Sequence, residues 1–125
     1  MIHKQKPMSK IISYFSHPAL LDPALIHKSY CNEHPGLESN ERLEFLGDSV
    51  LSIVISERLY RLFPSSPEGE LTSRRSNLVQ TSTLSRKAKL LELDKMLKLS
   101  RGEEDTGGRT NVGLLANTFE SVLGA

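Results

Sequence analysis

In the stretch SNERLEFLGDSVL, residues 39–51, Glu41, Glu44 and Asp48 recur at spacings of three and four. On a helix turning about 100° per residue, Asp48 lies about 20° and Glu44 about 60° from Glu41, so the three carboxylates share one narrow face. Like charges so placed repel weakly in water and strongly once water is removed. A hard divalent cation resolves that conflict, because Mg²⁺ takes oxygen ligands and is commonly held by a few carboxylates with waters and a phosphate. The alternative is a solvent-facing notch in which the acids simply hydrate.

A second set lies near the C-terminal end. LLANTFESVLGA places Asn117 and Glu120 at i and i+3 beside Leu115, Phe119, Val122 and Leu123. If the two segments pack together, their oxygen ligands meet and can share a cation, and Glu68 in PEGE is a loop acid able to join them. Taken singly, each of these residues also reads as ordinary helix-surface polarity.

Other chemistries find no support. His3, His17, His27 and His34 have no metal-ligand spacing and no nucleophile partner, so they are expected to cap or pack. Cys31, the only cysteine, shows no local sign of activation and rules out an internal disulfide, which suits a reducing compartment. GEEDTGGR follows no predicted strand, so a nucleotide-cradling loop is not indicated. No zinc ligand set is present.

The elements that must position these residues are helical. A helix is predicted from Glu41 to Phe63, capped by Ser39 or Asn40 and stopped by Pro64. Its core stripe is expected to be Leu43, Leu46, Val50, Ile53 and Val54, opposite the acids. The acid row itself turns apolar at Ile55 and Leu59, as in a helix buried centrally. ALIHKSY reads as a brief helix and CNEHPGLESN as a polar loop. Further helices are expected over residues 70–80, begun near Thr72, and over 82–93. RGEEDTGGRTN reads as a loop and VGLLANTFESVLGA as the last helix. Alternating β-branched runs are nearly absent, so the fold class is all-α.

Length and composition bound the rest. The 125 residues, 38% hydrophobic and 25% charged with a formal net charge of +1, make one domain of an ordinary soluble protein. The charges are segregated: residues 33–70 hold eight of the fifteen acids, whereas residues 71–91 hold no acid and five bases, Arg74, Arg75, Arg86, Lys87 and Lys89. That order suits a cation site facing a polyanion, or chance segregation on solvated faces. No secretory signal or membrane-spanning run is recognisable, and a cytoplasmic location is expected. Gly124–Ala125 interrupts an apolar helical pattern with no stop signal, so the domain, residues 1–125, is expected to lack its last helices.

NERLEFLGDSVL resembles the signature helix of the ribonuclease III family of double-stranded-RNA endonucleases. ALIHKSY, FPSSPEGELTSRRSNLV and GGRTNVGLLANTFESVLGA resemble its other segments in order, over residues 18–125. The resemblance implies a helical endonuclease-domain bundle that forms a homodimer with a valley for duplex RNA. It implies Mg²⁺, with Mn²⁺ able to substitute, and no small-molecule cofactor or membrane. Glu44, Asn117 and Glu120 would be metal ligands, Asp48 and Glu120 the catalytic acids, and Glu41 and Glu68 supporting acids of the same cleft. The five bases from Arg74 to Lys89 would meet backbone phosphates. Cleavage would leave 5′-phosphate and 3′-hydroxyl ends with two-nucleotide 3′ overhangs. The family carries Asp where this chain has Asn117, and many members add a double-stranded-RNA-binding domain that these residues do not contain. A non-catalytic RNA-binding relative is the second reading, and a small-substrate phosphohydrolase a third.

Overall fold

The computed structural model describes residues 10–125. Eight α-helices follow one another: α1 (Leu21–Ala24), α2 (Lys28–Glu33), α3 (Glu41–Leu62), α4 (Glu68–Leu78), α5 (Thr81–Leu90), α6 (Leu93–Met96), α7 (Arg101–Asp105) and α8 (Val112–Gly124). Short 3-10 turns lie at Lys10–Tyr14, Pro18–Leu20 and Gly108–Thr110. No β-strand occurs among the described residues; one isolated parallel bridge joins Ile26 to Lys98. The all-α expectation holds. Among the described residues, no helix is long and apolar enough to cross a membrane.

The ends of the two acid-bearing helices follow local chemistry. α3 stops at Leu62, before Pro64, whose ring disfavours helical backbone at the preceding residue. Asn111 caps α8, its side chain accepting from the Leu114 N–H at 2.9 Å. Asn40 occupies the cap position of α3 without capping it. Instead its buried carboxamide donates to the Ala24 carbonyl at 3.1 Å and to Ser121 Oγ at 3.4 Å, tying the start of α3 to α1 and α8.

Several sequence expectations need correction. The loop RGEEDTGGRTN contains α7, because Ser100 accepts from the Glu103 N–H at 3.1 Å and so caps a short helix. Arg109 then braces the turn, donating to Glu104 and to the Asp94 and Leu97 carbonyls. α4 begins at Glu68, two residues before the expected start, so Glu68 is a helix residue and not a loop acid. ALIHKSY is split between the end of α1 and the start of α2, broken at residues 25–27.

The largest correction concerns which helix is central and which face of α3 is inside. α8 is the central helix: Leu115, Thr118 and Ser121 are fully buried, and it packs on α1, α3, α5 and α6. On α3 three of the five predicted core-stripe residues lie outside, with Ile53 68%, Val54 56% and Leu46 50% exposed. Leu43, packed against the core, and Val50 are half-buried, while Leu51 and Leu59 are buried at 9% and 5%. The inward face therefore runs through Gly47, Leu51 and Leu59 and continues the acid row. Gly47 selects that face. A Cβ there would lie 1.6 Å from the Glu120 carbonyl oxygen, and one on Gly124 would lie 2.1 Å from that of Leu43. The two backbones cross in direct contact, which only glycine at both points permits.

Candidate active site

That crossing brings the two acid sets together. Glu41, Glu44 and Asp48 from α3 and Glu120 from α8 line one pocket of about 300 Å³, with Phe45 at its side. The short approach at Gly47 sets the position of Glu120, since the carbonyl in contact is its own. Only Glu41 has a partner nearby, accepting from Ser39 Oγ at 3.0 Å. Glu44, Asp48 and Glu120 make no ion pair or side-chain hydrogen bond with any described residue.

Unpaired charge at close quarters alters the acids. Burial, reinforced by the charges of Asp48 and Glu44, pushes the Glu120 carboxyl up to about 7. Burial also raises Glu44, with Glu41 and Asp48 adding to the effect and Lys28 opposing it. These carboxylates repel one another and lack cationic partners, which is the condition a bound divalent cation relieves. Their donors are hard oxygens of the kind Mg²⁺ takes. Among the described residues, however, no three His, Cys, Asp or Glu side chains converge into a ready metal cage. The residues fit a cation held partly through waters and a phosphate, and not one enclosed by protein.

The remaining candidates separate. Asn117 is exposed and lines a neighbouring pocket of about 440 Å³ together with Glu41 and Glu44, not the pocket that holds Asp48 and Glu120. Glu68 is not brought to the cluster in this chain; it accepts from Thr72 Oγ1 at 2.9 Å and faces a third pocket with Ser56, Tyr60 and Arg75. The basic stretch also divides. Arg74 donates to Glu70 at 2.7 Å and stacks over Phe63, 4.1 Å from the ring centre, and Arg75 donates to Ser56 Oγ at 2.9 Å. Arg86, Lys87 and Lys89 are exposed on α5 without an ion pair among the described residues, opposite the buried Leu84, Ser85 and Ala88. Of the five bases, only Arg74 is ion-paired among the described residues, and Arg75 is held by the neutral Ser56 hydroxyl.

Two of the described histidines behave as expected: His27 caps α2 by accepting from the Ser29 N–H at 3.2 Å, and His34 stacks on Tyr30 at 3.8 Å. His17 does neither; it stands exposed before the Pro18–Leu20 turn with no side-chain cap. His3 lies outside the described residues. Sequence reasoning missed Lys28, His27 and Glu103, which line the Asn117 pocket. The signal was weak, since Lys28 stands thirteen residues before Glu41 with a polar loop between.

Comparison with known proteins places the fold in a family. The family model described as Ribonuclease-III-like matches residues 17–125. Ribonuclease 3 of Streptomyces coelicolor is 48% identical over 114 residues, 91% of this chain and 41% of that protein. Ribonuclease 3 of Carboxydothermus hydrogenoformans is 47% identical over 121 residues, 94% of this chain and 52% of that protein. The chain thus spans about half the length of the curated relatives it matches. The nuclease domain of ribonuclease III from Campylobacter jejuni, solved in a study of flexibility in its dimer-forming region, superposes with a TM-score of 0.83 at 34% identity, covering 91% of this chain and 80% of that one. With a family model matched over most of its length and structural likeness to a nuclease domain, this chain belongs to the ribonuclease III-like family.

Proposed function

We propose that this chain is the catalytic domain of a Mg²⁺-dependent endonuclease that cleaves double-stranded RNA. The observation that carries the reading is the meeting of Glu44 and Asp48 with Glu120 at a glycine-tight helix crossing, unpaired and mutually repelling. Glu44 and Glu120 would hold the cation, with the Asn117 carboxamide oxygen reaching it from the adjoining pocket and Glu41 supporting from the shared wall. When bound, Mg²⁺ neutralises charge on the reacting phosphate and makes a water molecule a better nucleophile. Asp48 would orient that water by accepting its hydrogen bond, and Glu120, set by its backbone contact with Gly47, would fix where the phosphate sits. Arg86, Lys87 and Lys89 would meet backbone phosphates, a mode of contact that reads duplex shape without sequence.

The working unit is a homodimer. Phe45, 79% exposed, stands with Leu46, Ile53 and Val54 on the outward face of α3. An exposed apolar group of this kind on α3 suits association with a second copy. Two such domains would each cut one strand, leaving 5′-phosphate and 3′-hydroxyl ends with two-nucleotide 3′ overhangs.

The test is cleavage of a long uniform RNA duplex by the full-length protein, with Mg²⁺ or chelator, beside Glu120→Gln. Mg²⁺-dependent cuts with staggered ends, abolished in Glu120→Gln, are expected. Duplex binding without cleavage would instead support a non-catalytic RNA-binding domain.

A further inference from the structure

The acid pocket and the Asn117 pocket adjoin, with Glu41 and Glu44 in the walls of both. Among the described residues lining the two, Lys28 is the only lysine or arginine. It shares its wall with Glu41, Glu44 and Glu103, yet no ion pair or side-chain hydrogen bond joins it to any described residue. A lysine committed to neutralising these acids would be paired with one of them. This one is exposed, with its charge free for a ligand.

Its backbone, by contrast, is fixed. The His27 N–H donates to the Lys98 carbonyl at 3.1 Å, and the Lys98 N–H to that of Leu25 at 2.9 Å. Ser29 Oγ accepts from the Ser100 N–H at 3.0 Å, and Glu33 from the Arg101 N–H at 2.9 Å. These bonds clamp both sides of Lys28 to the α6–α7 segment. Only the flexible stem remains free, ending in a compact point charge of the kind that grips a phosphate without demanding one orientation.

A strand of RNA laid across both pockets would present its phosphates to several carboxylates. With a cation held by the acids to offset the scissile phosphate, the next phosphate along the strand would enter the adjoining pocket, where Lys28 is the one lysine or arginine among the described residues. We propose that Lys28 binds a non-bridging oxygen of the phosphate adjacent to the scissile one, holding the cleaved strand in register over the acid pocket. The inference rests on the nuclease reading and adds to it a substrate-binding residue outside the acid set.

The experiment uses the full-length protein. Wild type must first cut an RNA duplex with Mg²⁺; failure there overturns the nuclease reading whatever Lys28 does. Duplex affinity is then measured by fluorescence anisotropy across a KCl series in the uncleaving Glu120→Gln background, with Lys28 intact, as Lys28→Ala and as Lys28→Arg. Loss of one phosphate contact is expected to reduce the slope of log affinity against log salt by about 0.9 in Lys28→Ala, with Lys28→Arg restoring it. An unchanged slope in Lys28→Ala, or a loss that arginine does not restore, overturns the proposal. In the cleaving protein, an altered Mg²⁺ requirement together with an unchanged slope would assign Lys28 to Glu44 and likewise overturn it.

Discussion

Glu120 concentrates the chemistry of the site in one group. Its carboxyl stands at about 7, against an ordinary 4.5, because burial and the charges of Asp48 and Glu44 all favour the proton. A native-state value above the unfolded one means that the folded protein binds the proton more tightly. The stabilisation this gives is complete below the unfolded value and disappears as pH rises through about 7. In chelator, thermal melts are therefore expected to show Tm falling between about pH 4.5 and pH 7, the interval the two values bracket, and levelling off above it. Glu120→Gln should flatten that fall, and Mg²⁺ should raise Tm most at the alkaline end, where the acids are ionised. A metal-free Tm that climbs over the interval would contradict the charge arrangement. Asn117 poses the complementary question. Its carboxamide offers an oxygen without charge, so Asn117→Asp is expected to lower the Mg²⁺ concentration for half-maximal cleavage several-fold and to raise activity or leave it unchanged. A clear loss of Mg²⁺-dependent cleavage would remove position 117 from the ligand set.

The α3–α8 crossing turns these residues into a site, and it depends on two glycines. In Gly47→Ala the new methyl group would meet the Glu120 backbone, which cannot swing aside as a side chain can. The cost should exceed the ~1–3 kcal/mol of an ordinary overpacked contact. Tm and cleavage should fall together, because separating the helices withdraws Glu120 from Glu44 and Asp48. Gly69→Ala is the control: its Cβ meets nothing within 4 Å, and Tm should hold or rise slightly. A Gly47→Ala protein that melted and cleaved like wild type would deny the crossing its role. The same crossing explains what could be read in the sequence and what could not. The start of α3 was placed rightly, although Asn40 turns its carboxamide to Ala24 and Ser121 and does not cap. The end of α3 was legible from Pro64, and the acid triplet from its spacing. Its inward face was not, because Leu46, Ile53 and Val54 form as apolar a stripe as Leu51, Ile55 and Leu59. A wheel weighs hydropathy, whereas the choice was made by backbone contact at Gly47. Helix α7 was hidden for another reason: its stability comes from the Ser100 cap and the reach of Arg109 to residues 94, 97 and 104, which local composition does not encode.

At the scale of the whole molecule, the stripe misread as core becomes evidence. Leu46, Ile53 and Val54 are built like an interior, yet they face outward in a single chain, and Phe45 projects beside them. The apolar depression next to them, lined by Leu20, Pro23, Leu43 and Ala125, shares Glu41 and Phe45 with the acid pocket. A second copy seated on this surface would therefore also form part of the wall around the acid cluster. Ile53→Glu tests the arrangement, because the side chain is 68% exposed and its replacement should cost a single chain little stability. Placed at an interface between copies, the same carboxylate would be buried without a partner, a penalty large enough to separate the subunits. Sedimentation equilibrium is expected to give a dimer for wild type and a monomer for Ile53→Glu, with helical circular dichroism preserved. Cleavage should fall with the dimer, although no acid of the site has been altered. An Ile53→Glu protein that stayed dimeric would place the subunit contact elsewhere and leave the outward face of α3 to another partner.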